Sequence, residues 1–406
     1  MISLIITFIV ALLINIAVFL AGVIYYAIKT RGKRSQQPDT TEDKPNVLLL
    51  VLGDIGRSPR MQYHALSLAE NNYHVDFVGY KGTEPMKAIL NSKAITIHYI
   101  PTPESLGNVQ SKVSYIMQGV QRVINQFKQL FDLLLNTVSR PRYILIQNPP
   151  AIPTLLIIQI INYLQNSKLI IDWHNFGYTI MSVTMGNNII VKIAKCYEMI
   201  FGHCAYAHLC VSKAMASFLK DTFKVKGQIC VLYDQAQKHF RRLEVDEIHK
   251  LLLKLNFKEN ENETVITRSN GSSIEFKENR PALVISSTSW TPDEDFSILL
   301  ESLKHYNERL TQSPEFITEN HLPDLYVVIT GKGPLREKYE KEIEALAMKH
   351  VTIKTVWLEI EDYPKLLGSA DLGVCLHTSS SGLDLPMKVI DMFGCGLPVC
   401  AYNFQW

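Results

Sequence analysis

The segment from Ser379 to Val399 carries residue types that suit the binding of a phosphate group. A run of serine and glycine precedes Pro386, an apolar helical pattern follows, and Gly396 ends it. The free N–H groups at the start of such a helix attract anions, and Lys388 in its first turn adds a positive charge. Asp391 lies on the same edge of this helix, where its carboxylate can accept hydrogen bonds from ribose hydroxyls. The pattern predicts a nucleotide diphosphate site, with an ordinary capped helix bearing a surface lysine and aspartate as the alternative.

The turn after the first apolar run, GDIGRSPRMQYHA (residues 53–65), has a similar composition. Gly53 and Gly56 would let the backbone approach a ligand closely. Arg57 and Arg60 stand at the opening of the next helix, and arginine grips phosphate through two parallel hydrogen bonds. We expect these four residues to bind phosphate or acceptor, with a plain strand-to-helix turn bearing solvated arginines as the alternative.

His174 and Lys332 follow two other apolar runs. The neutral imidazole of His174, in DWHNFGYT, could act as a base or hydrogen-bond a sugar hydroxyl in a cleft between two domains. A satisfied structural histidine is equally compatible with the sequence. In GKGPL, Lys332 lies between Gly331 and Gly333, whose amides could cradle a phosphate or a base, although so short a motif is weak.

The acidic run Asp293-Glu294-Asp295 matches the D-x-D pattern of metal-dependent sugar transferases. It follows Thr291-Pro292 at a predicted helix start, where acidic side chains cap the helix and complement its dipole, so we predict capping. The chain has no Cys/His spacing typical of metal sites and no Walker lysine loop. We therefore expect neither a metal nor another cofactor.

Short apolar runs alternate with helical patterns from Asn46 onward, as in parallel sheets whose strands are buried on both faces. The first series is NVLLLVLG, HVDFVGY, AITIHYI, YILIQ, KLIIDWH and HLCVS, and the second is PALVISS, DLYVVITG, VTIKTVW, DLGVCL and LPVCAY. We predict an α/β protein with two Rossmann-like domains at residues 45–235 and 281–406. The segment 236–280 connects them, and its polar stretch Lys258–Arg280 predicts an exposed, mobile insertion.

The stretch from Ile2 to Ile28 contains no Asp, Glu, Lys or Arg and predicts a transmembrane helix. It would extend about 40 Å, against roughly 30 Å of hydrocarbon. A cleaved signal peptide is the alternative, but the apolar run is too long for one. Basic residues follow, so the positive-inside rule places the chain from Lys29 onward in the cytosol. We expect a single-pass anchor with its basic flank at residues 1–34 and a polar linker at 35–44.

The composition of the chain bears on the classes of molecule that it can bind. A net charge of +2 over 406 residues lacks the basic footprint of nucleic-acid binding. The seven cysteines form no CxxC pair, which predicts reduced, mostly buried thiols and agrees with a cytosolic location. The apolar segment Ala151–Leu164 predicts a buried or membrane-leaning helix, and the amphipathic segment Val113–Leu135 predicts a helix that faces the core or lies on a bilayer.

Taken in order and spacing, the apolar N-terminal run and six motifs resemble the chitobiosyldiphosphodolichol beta-mannosyltransferase family. The motifs are VLGDIGRSPRMQYHALSLA, IQNPPAIPTL, IIDWHNFGYT, SSTSWTPDEDF, ITGKGPL and SSSGLDLPMKVIDMFGCGLPV. The resemblance implies a GT-B fold whose first half binds the acceptor and whose second half binds GDP-mannose. It implies an inverting transfer of mannose to the lipid-linked chitobiosyl diphosphate through a β-1,4 bond, on the cytosolic face of the endoplasmic reticulum membrane. Other enzymes that assemble the same lipid-linked oligosaccharide are expected partners.

The resemblance also implies a set of donor-binding residues. They are Gly331, Lys332, Gly333, Ser381, Gly382, Lys388 and Asp391. Where the broader GT-B pattern has two glutamates, this chain has Leu383 and Asp391, with Asp384 beside the first position. The basic pair of that pattern is absent, so phosphate neutralisation would rest on Lys332, Lys388 and helix ends, or on Arg57 and Arg60.

Inversion needs a base for the acceptor hydroxyl, and Asp54 and His174 are the two candidates. The chain stops at Trp406, soon after LPVCAY, whereas the family continues. Two alternatives therefore stay open at the sequence level: a truncated, non-catalytic membrane protein that only binds partners, or a related GT-B transferase that uses another nucleotide sugar.

Overall fold

The structure, a computed structural model, describes residue 22 and residues 45–102, 112–291, 294–312, 322–359, 361–384 and 386–403. The chain divides into two compact units between Leu232 and Tyr233, close to the domain end predicted at residue 235. The predicted anchor and linker, apart from Gly22, lie outside the described residues. Among the residues that are described, no helix combines the length and the apolar character needed to cross a bilayer.

The first unit is built on a parallel sheet whose strands alternate with helices. The strands are β1 Asn46–Asp54, β2 His74–Tyr80, β3 Ile95–Ile100, β4 Tyr143–Asn148, β5 Lys168–Trp173, β6 Cys204–Cys210 and β7 Lys226–Val231. Their order in the sheet is β3-β2-β1-β4-β5-β6-β7, which is the Rossmann order with one further edge strand. The direction of winding changes between β1 and β4, so the loops that follow these strands meet at one edge.

Seven α-helices accompany this sheet within the described ranges from residue 45 onward. They are α1 Pro59–Glu70, α2 Lys87–Leu90, α3 Lys112–Asp132, α4 Thr154–Gln165, α5 Gly177–Met185, α6 Ile189–Phe201 and α7 Lys213–Asp221. Helix α4 buries Leu155, Ile157, Ile158 and Ile161, so of the two interpretations of its apolar segment the buried one is confirmed. Phe127 and Leu130 of α3 are buried as well, as expected of a core-facing helix.

The second unit repeats the architecture with five parallel strands. After a short hairpin, β8 Thr267–Ser269 and β9 Ile274–Phe276, the strands are β10 Ala282–Ser287, β11 Leu325–Thr330, β12 Val351–Val356, β13 Leu372–Cys375 and β14 Val399–Ala401. Their order is β12-β11-β10-β13-β14. The helices are α8 Val245–Lys254, α9 Ser297–Gln312, α10 Arg336–Glu344, α11 Tyr363–Ser369 and α12 Met387–Gly394. All five apolar runs predicted for this half form strands.

Two expectations are wrong. The polar stretch Lys258–Arg280 contains the β8–β9 hairpin, and Ile266 beside it is fully buried in the core of the second unit. Thr267 Oγ1 lies 2.8 Å from Nδ1 of the buried His249, which fixes the hairpin on α8. The seven cysteines are free as expected, but four of them are exposed, so they are not mostly buried.

Candidate functional site

The turn after β1 is held together by Asp54, one of the two candidate bases. Its Oδ1 accepts the N–H of Gly56 at 3.0 Å, and its Oδ2 accepts the N–H of Thr83 at 2.8 Å. Burial would raise the pKa of Asp54, but the hydrogen bonds from Thr83 and Gly56 hold it below its ordinary value. These contacts stabilise the turn and leave a weakly basic carboxylate.

The glycines of this turn face protein in the structure. A Cβ at Gly56 would lie 2.3 Å from the carbonyl oxygen of Thr83, so this position requires glycine because a neighbouring loop packs against it. A Cβ at Gly53 would make only an ordinary contact with Val51, at 3.5 Å. Ligand binding by either glycine stays a prediction. Arg57 donates to the hydroxyl of Thr83 at 3.1 Å and is 81% exposed, which leaves most of its guanidinium open to an anion.

Arg60 has a different setting from the open phosphate site that the sequence suggested. Its Nε and Nη2 donate to the two carboxylate oxygens of Asp172 at 2.7 and 3.0 Å, and its Nη1 donates to the carbonyl of Leu232 at 2.8 Å. Both side chains of this ion pair are buried. The guanidinium is therefore committed to a protein carboxylate, because α1 places it directly over the end of β5.

Asp172 contacts two histidines in addition to Arg60. Nε2 of His64 lies 3.2 Å from Oδ2 of Asp172, and Nε2 of His174 lies 3.0 Å from the same oxygen. Burial would raise the pKa of Asp172, but the charge and hydrogen bonds of His174, with those of His64 and Arg60, hold it well below its ordinary value. Asp172 is therefore a buried carboxylate whose partners favour its ionised form.

This carboxylate determines what His174 can do. With Nε2 donating to Asp172, the lone pair of the imidazole is on Nδ1. No residue that the structure describes forms a hydrogen bond with Nδ1, and 25% of the side chain is exposed. Nδ1 can accept a proton from a hydroxyl while the buried carboxylate stabilises the imidazolium that forms.

Glu198 of α6 fixes the loop that carries His174. Its buried carboxylate accepts the N–H groups of Gly177 and Tyr178 at 2.9 and 3.2 Å, and the side-chain amide of Asn148 at 2.7 Å. Burial raises the pKa of Glu198. Because these N–H groups are the first of α5, Glu198 satisfies the helix start in the way an N-cap would. The backbone N–H of His174 also donates to the carbonyl of Asn148, at 2.9 Å.

In the second unit, the segment from Ser379 to Val399 folds as predicted. Helix α12 follows Pro386, and Gly396 after its end has φ 65°, the left-handed conformation that terminates helices. In the loop before the helix, the hydroxyl of Ser379 accepts the N–H of Gly382 at 2.9 Å. Ser381 donates its hydroxyl to Asp384 at 3.0 Å, and Ser379 also donates to this carboxylate.

Lys388 is paired with an acid that we expected to cap a helix. Its Nζ donates to Oε1 of the buried Glu294, and Nδ1 of His377 lies 3.5 Å from the same oxygen. Glu294 also accepts the hydroxyl of Thr288 and the N–H of Ser289, both at 2.6 Å. Burial would raise the pKa of Glu294, but the hydrogen bonds and charges of His377 and Lys388 lower it to about 2.

The capping prediction therefore divides between the acids of this run. It is confirmed for Asp295, whose Oδ1 accepts the N–H of Ser297 at 3.1 Å at the start of α9. It is wrong for Glu294, which points into the unit and binds Lys388. Asp293 lies outside the described residues.

The glycine loop after β11 packs on the loop after β10. A Cβ at Gly331 would lie 1.7 Å from the carbonyl oxygen of Thr288, and one at Gly333 would lie 1.7 Å from that of Ser289. Gly331 also has φ 141°, which side-chain-bearing residues rarely adopt. Between them, Lys332 is exposed and lies with its Nζ 3.7 Å from the ring centre of Trp357.

Asp391 is a half-buried acid of this unit. Burial raises the pKa of its carboxyl group to about 7. No residue that the structure describes forms a hydrogen bond or an ion pair with its side chain. Burial, together with the negative charge of Asp391, raises the pKa of the neighbouring Tyr363. A half-buried carboxyl group without a protein partner is open to a ligand that brings hydrogen-bond donors, such as ribose hydroxyls.

These groups gather at the carboxyl edge of the second sheet, where the direction of winding changes between β10 and β13. The loop after β10 supplies Ser289 and Glu294, and the segment after β13 supplies His377 and Lys388. The loop with Gly331 packs against the first of these. Ligands of doubly wound sheets bind at this position. Within the described part of the chain, no group of three His, Cys, Asp or Glu side chains could hold a metal ion.

The comparisons with known proteins agree with this arrangement. Residues 269–405 match the family described as Glycosyl transferases group 1. The chitobiosyldiphosphodolichol beta-mannosyltransferase of Homo sapiens is 44% identical over 375 residues, which cover 89% of this chain and 78% of that protein. The chain belongs to the chitobiosyldiphosphodolichol beta-mannosyltransferase family.

Two further matches concern a plant relative and the fold of this mannosyltransferase family member. A protein of Arabidopsis thaliana named UDP-glycosyltransferase TURAN is also 44% identical, over 88% of this chain and 82% of that protein. A sucrose-phosphate synthase from Thermosynechococcus elongatus superposes with a TM-score of 0.55 at 12% identity, over 88% of this chain and 81% of that one. The fold is GT-B, with two Rossmann-like domains, and the protein is a glycosyltransferase.

The sequence reasoning missed four residues that now define the sites of this family member, His64, Asp172, Glu198 and Glu294. Signals for two of them existed. His64 lies four residues after Arg60 and therefore on the same helix face. Asp172 lies two residues before His174, which puts both side chains on the same face of a strand. Glu198 gave no local sign, because its partners are distant in the sequence, and Glu294 stood in an acidic run for which we predicted helix capping.

Proposed function

We propose that this protein transfers mannose from GDP-mannose to a lipid-linked chitobiosyl diphosphate, with inversion at the anomeric carbon and His174 as the base. The reaction is that of the family relatives, whose name specifies the lipid diphosphate and the β-linked mannose. The observation that carries the proposal is the pairing of His174 Nε2 with the buried Asp172 while Nδ1 is open.

In the proposed step, Nδ1 of His174 takes the proton of the acceptor hydroxyl as its oxygen bonds to the anomeric carbon of mannose. The bond between that carbon and the diphosphate oxygen breaks, and GDP leaves with the electron pair. Attack from the face opposite the leaving group inverts the anomeric centre. A positioned base contributes roughly 10²–10⁴-fold to such a step.

The donor half of the proposal rests on the charges at the edge of the second sheet. Lys388 and the N–H groups that open α12 are suited to the diphosphate, and the N–H groups around Gly331 and Gly333 add donors. Asp391 would bind the ribose, because its unpaired carboxyl group can accept hydrogen bonds from the ribose hydroxyls. Lys388 has to exchange at least part of its contact with Glu294 for phosphate, so we propose that donor binding reorganises this ion pair.

The location of the reaction is part of the proposal. The apolar run Ile2–Ile28 supports a single membrane anchor, and the basic residues after it support a catalytic part on the cytosolic side of the endoplasmic reticulum membrane. No metal or other cofactor is proposed, because lysine and helix N–H groups can take the charge of the diphosphate. Other enzymes that build the same lipid-linked oligosaccharide are proposed partners.

Asp54 stays the alternative base. The two N–H groups that it accepts favour a structural role, since they lower its basicity and occupy both carboxylate oxygens. Under the proposal, Asp54→Ala loosens the turn and lowers the thermal unfolding temperature, whereas the main effect of His174→Ala is a loss of turnover.

The direct test is transfer of labelled mannose from GDP-mannose to chitobiosyl diphosphate lipid in vesicles. We expect a product that a β-mannosidase cleaves. Because one relative is named a UDP-glycosyltransferase, UDP-glucose and UDP-N-acetylglucosamine are offered in parallel. Absence of transfer from GDP-mannose, or equal transfer from a UDP-sugar, would contradict the proposal.

A further inference from the structure

Helices α5 and α6 present an apolar surface to solvent. The large apolar residues on this surface that are at least two-fifths exposed are Ile180, Val183, Met185, Ile189, Ile190, Ile193 and Ile200. Four of them, Val183, Ile189, Ile193 and Ile200, are 60–68% exposed. We call this surface the α5–α6 face. A contiguous exposed apolar patch on a soluble domain commonly marks an interaction site.

The pattern along α6 shows that the exposure is not incidental. Its inward side chains, Val191, Ala194 and Glu198, recur at the helical spacing and are buried. The outward stripe Ile189, Ile193 and Ile200 recurs at the same spacing, and these residues are apolar as well. A surface helix of a soluble protein normally has polar residues on its outward side. Helix α6 therefore exposes an apolar stripe on its outward side.

The charged side chains that α5 and α6 leave accessible to solvent are of one sign. Between residues 177 and 201, Glu198 is the only acid, and it is fully buried against the start of α5. The basic residues of the same stretch are Lys192, which is exposed, and Lys195, whose Nζ lies 5.4 Å from the ring centre of Tyr178. An apolar face with basic side chains and no exposed acid is complementary to a bilayer with anionic headgroups.

We propose that the α5–α6 face lies on the lipid bilayer, and that this contact brings the lipid-linked acceptor to His174. The inference rests on the proposed function. Helix α5 begins three residues after His174, so the membrane contact and the base belong to one short segment. Two segments whose composition first suggested membrane contact bury apolar residues instead: Phe127 and Leu130 of α3, and Leu155, Ile157, Ile158 and Ile161 of α4.

The first experiment reads the contact locally in the full-length protein, so the N-terminal anchor does not obscure it. Ile193→Trp is reconstituted in phosphatidylcholine vesicles with phosphatidylserine, with and without brominated acyl chains. Tyr99→Trp, at an exposed position of β3, is the matched control. We expect bromine to quench the emission of Ile193→Trp and to leave that of Tyr99→Trp unchanged.

Equal quenching of the two variants overturns the inference. It is also overturned if Cys196, exposed on α6, cross-links two copies in the vesicles, because a second copy of the chain would then cover the face. Quenching does not depend on catalysis. It therefore separates failure of this inference from failure of the proposed function, which would show as absence of transfer by the unmodified protein.

The second experiment measures the consequence for the acceptor. In the double variant Ile189→Glu with Ile193→Glu, we expect the KM for a long-chain acceptor in vesicles to rise about tenfold or more, since two apolar contacts with lipid are lost. The KM for a short-chain acceptor in solution should not change. Leu90→Glu, at an exposed position of α2, is the control. An unchanged KM for the long-chain acceptor contradicts the inference.

Discussion

Asp172 of the first unit and Asp391 of the second are compensated in opposite ways. In the first, Asp172 is saturated by Arg60, His64 and His174, so its charge is balanced before any substrate binds. In the second, the carboxyl group of Asp391 has no partner among the described residues, and burial raises its pKa to about 7. The first site is organised by the protein itself, whereas under our proposal the second would be completed by its ligand.

This contrast agrees with the roles that we propose for the two units. A base has to keep one orientation and one tautomer through each turnover, which a saturated carboxylate provides. A site for a diphosphate and a ribose has to offer unused donors and acceptors, and some of its own contacts must give way. The pair between Lys388 and Glu294 is the contact that would have to change.

The largest effect is expected from breaking the saturated site. Asp172→Ala leaves the guanidinium of Arg60 buried without its partner, and breaking such a pair costs about 3–5 kcal/mol. Urea unfolding should show this loss in the free energy of unfolding, together with loss of turnover. Glu342→Ala, which breaks an exposed ion pair with Lys338, is the control and should change little. Equal effects of the two substitutions would mean that Asp172 does not organise its site.

The second effect is on donor binding. Lys388→Met removes the charge proposed to bind the diphosphate, and a charge-assisted hydrogen bond of about 1.5–3 kcal/mol corresponds to a rise of roughly ten- to a hundredfold in the Kd for GDP-mannose. Isothermal titration calorimetry measures it. Lys365→Met, which removes a half-exposed lysine that pairs with Asp362 in the same unit, should leave the Kd unchanged. If both lysine variants bind GDP-mannose like the unmodified protein, Lys388 has no role in the donor site.

The third prediction concerns the pH dependence of the unpaired acid. The pKa of Asp391 rises from its ordinary 3.8 to about 7 on folding, so the folded state holds the proton more tightly than the unfolded state. The free energy of unfolding should therefore fall as pH rises through that interval, and Asp391→Asn should lack this part of the fall. Urea unfolding of both proteins across the interval measures it. A parallel pH dependence in the two proteins would refute the assignment.

The smallest effect is expected at the exposed rim of the donor site. Trp357→Ala removes the ring over which Lys332 lies, a contact of about 0.5–1 kcal/mol at an exposed position. The Kd for GDP-mannose should rise a few-fold at most. A larger change would mean that the indole itself contacts the nucleotide.

The sequence predicted the sheets well because the strands of a parallel sheet buried on both faces are continuous apolar runs. Every run of the second series became a strand, and Pro386 and Gly396 bracket α12 as their conformations require. The edge strand β7 was not predicted, because an exposed edge carries Lys226 and Gln228 in place of an apolar run.

The sites were less predictable, since their defining contacts join distant parts of the chain. Arg60 and Asp172 are 112 residues apart, and Glu294 and Lys388 are 94 apart. Sequence patterns identified Arg60 and Lys388 as cations suited to phosphate, but they could not show that each faces a protein carboxylate. The exposure of the isoleucines of α6 could not be predicted either, because the apolar periodicity of a helix does not tell which of its sides is packed.

The most direct test of the account is turnover of His174→Ala at saturating donor and acceptor. We predict a fall of roughly 10²–10⁴-fold, with an unchanged Kd for GDP-mannose. His98→Ala, which breaks a similar histidine contact with the buried Asp76 in the same unit, should retain its turnover. Turnover of His174→Ala close to that of His98→Ala would contradict the claim that His174 is the base.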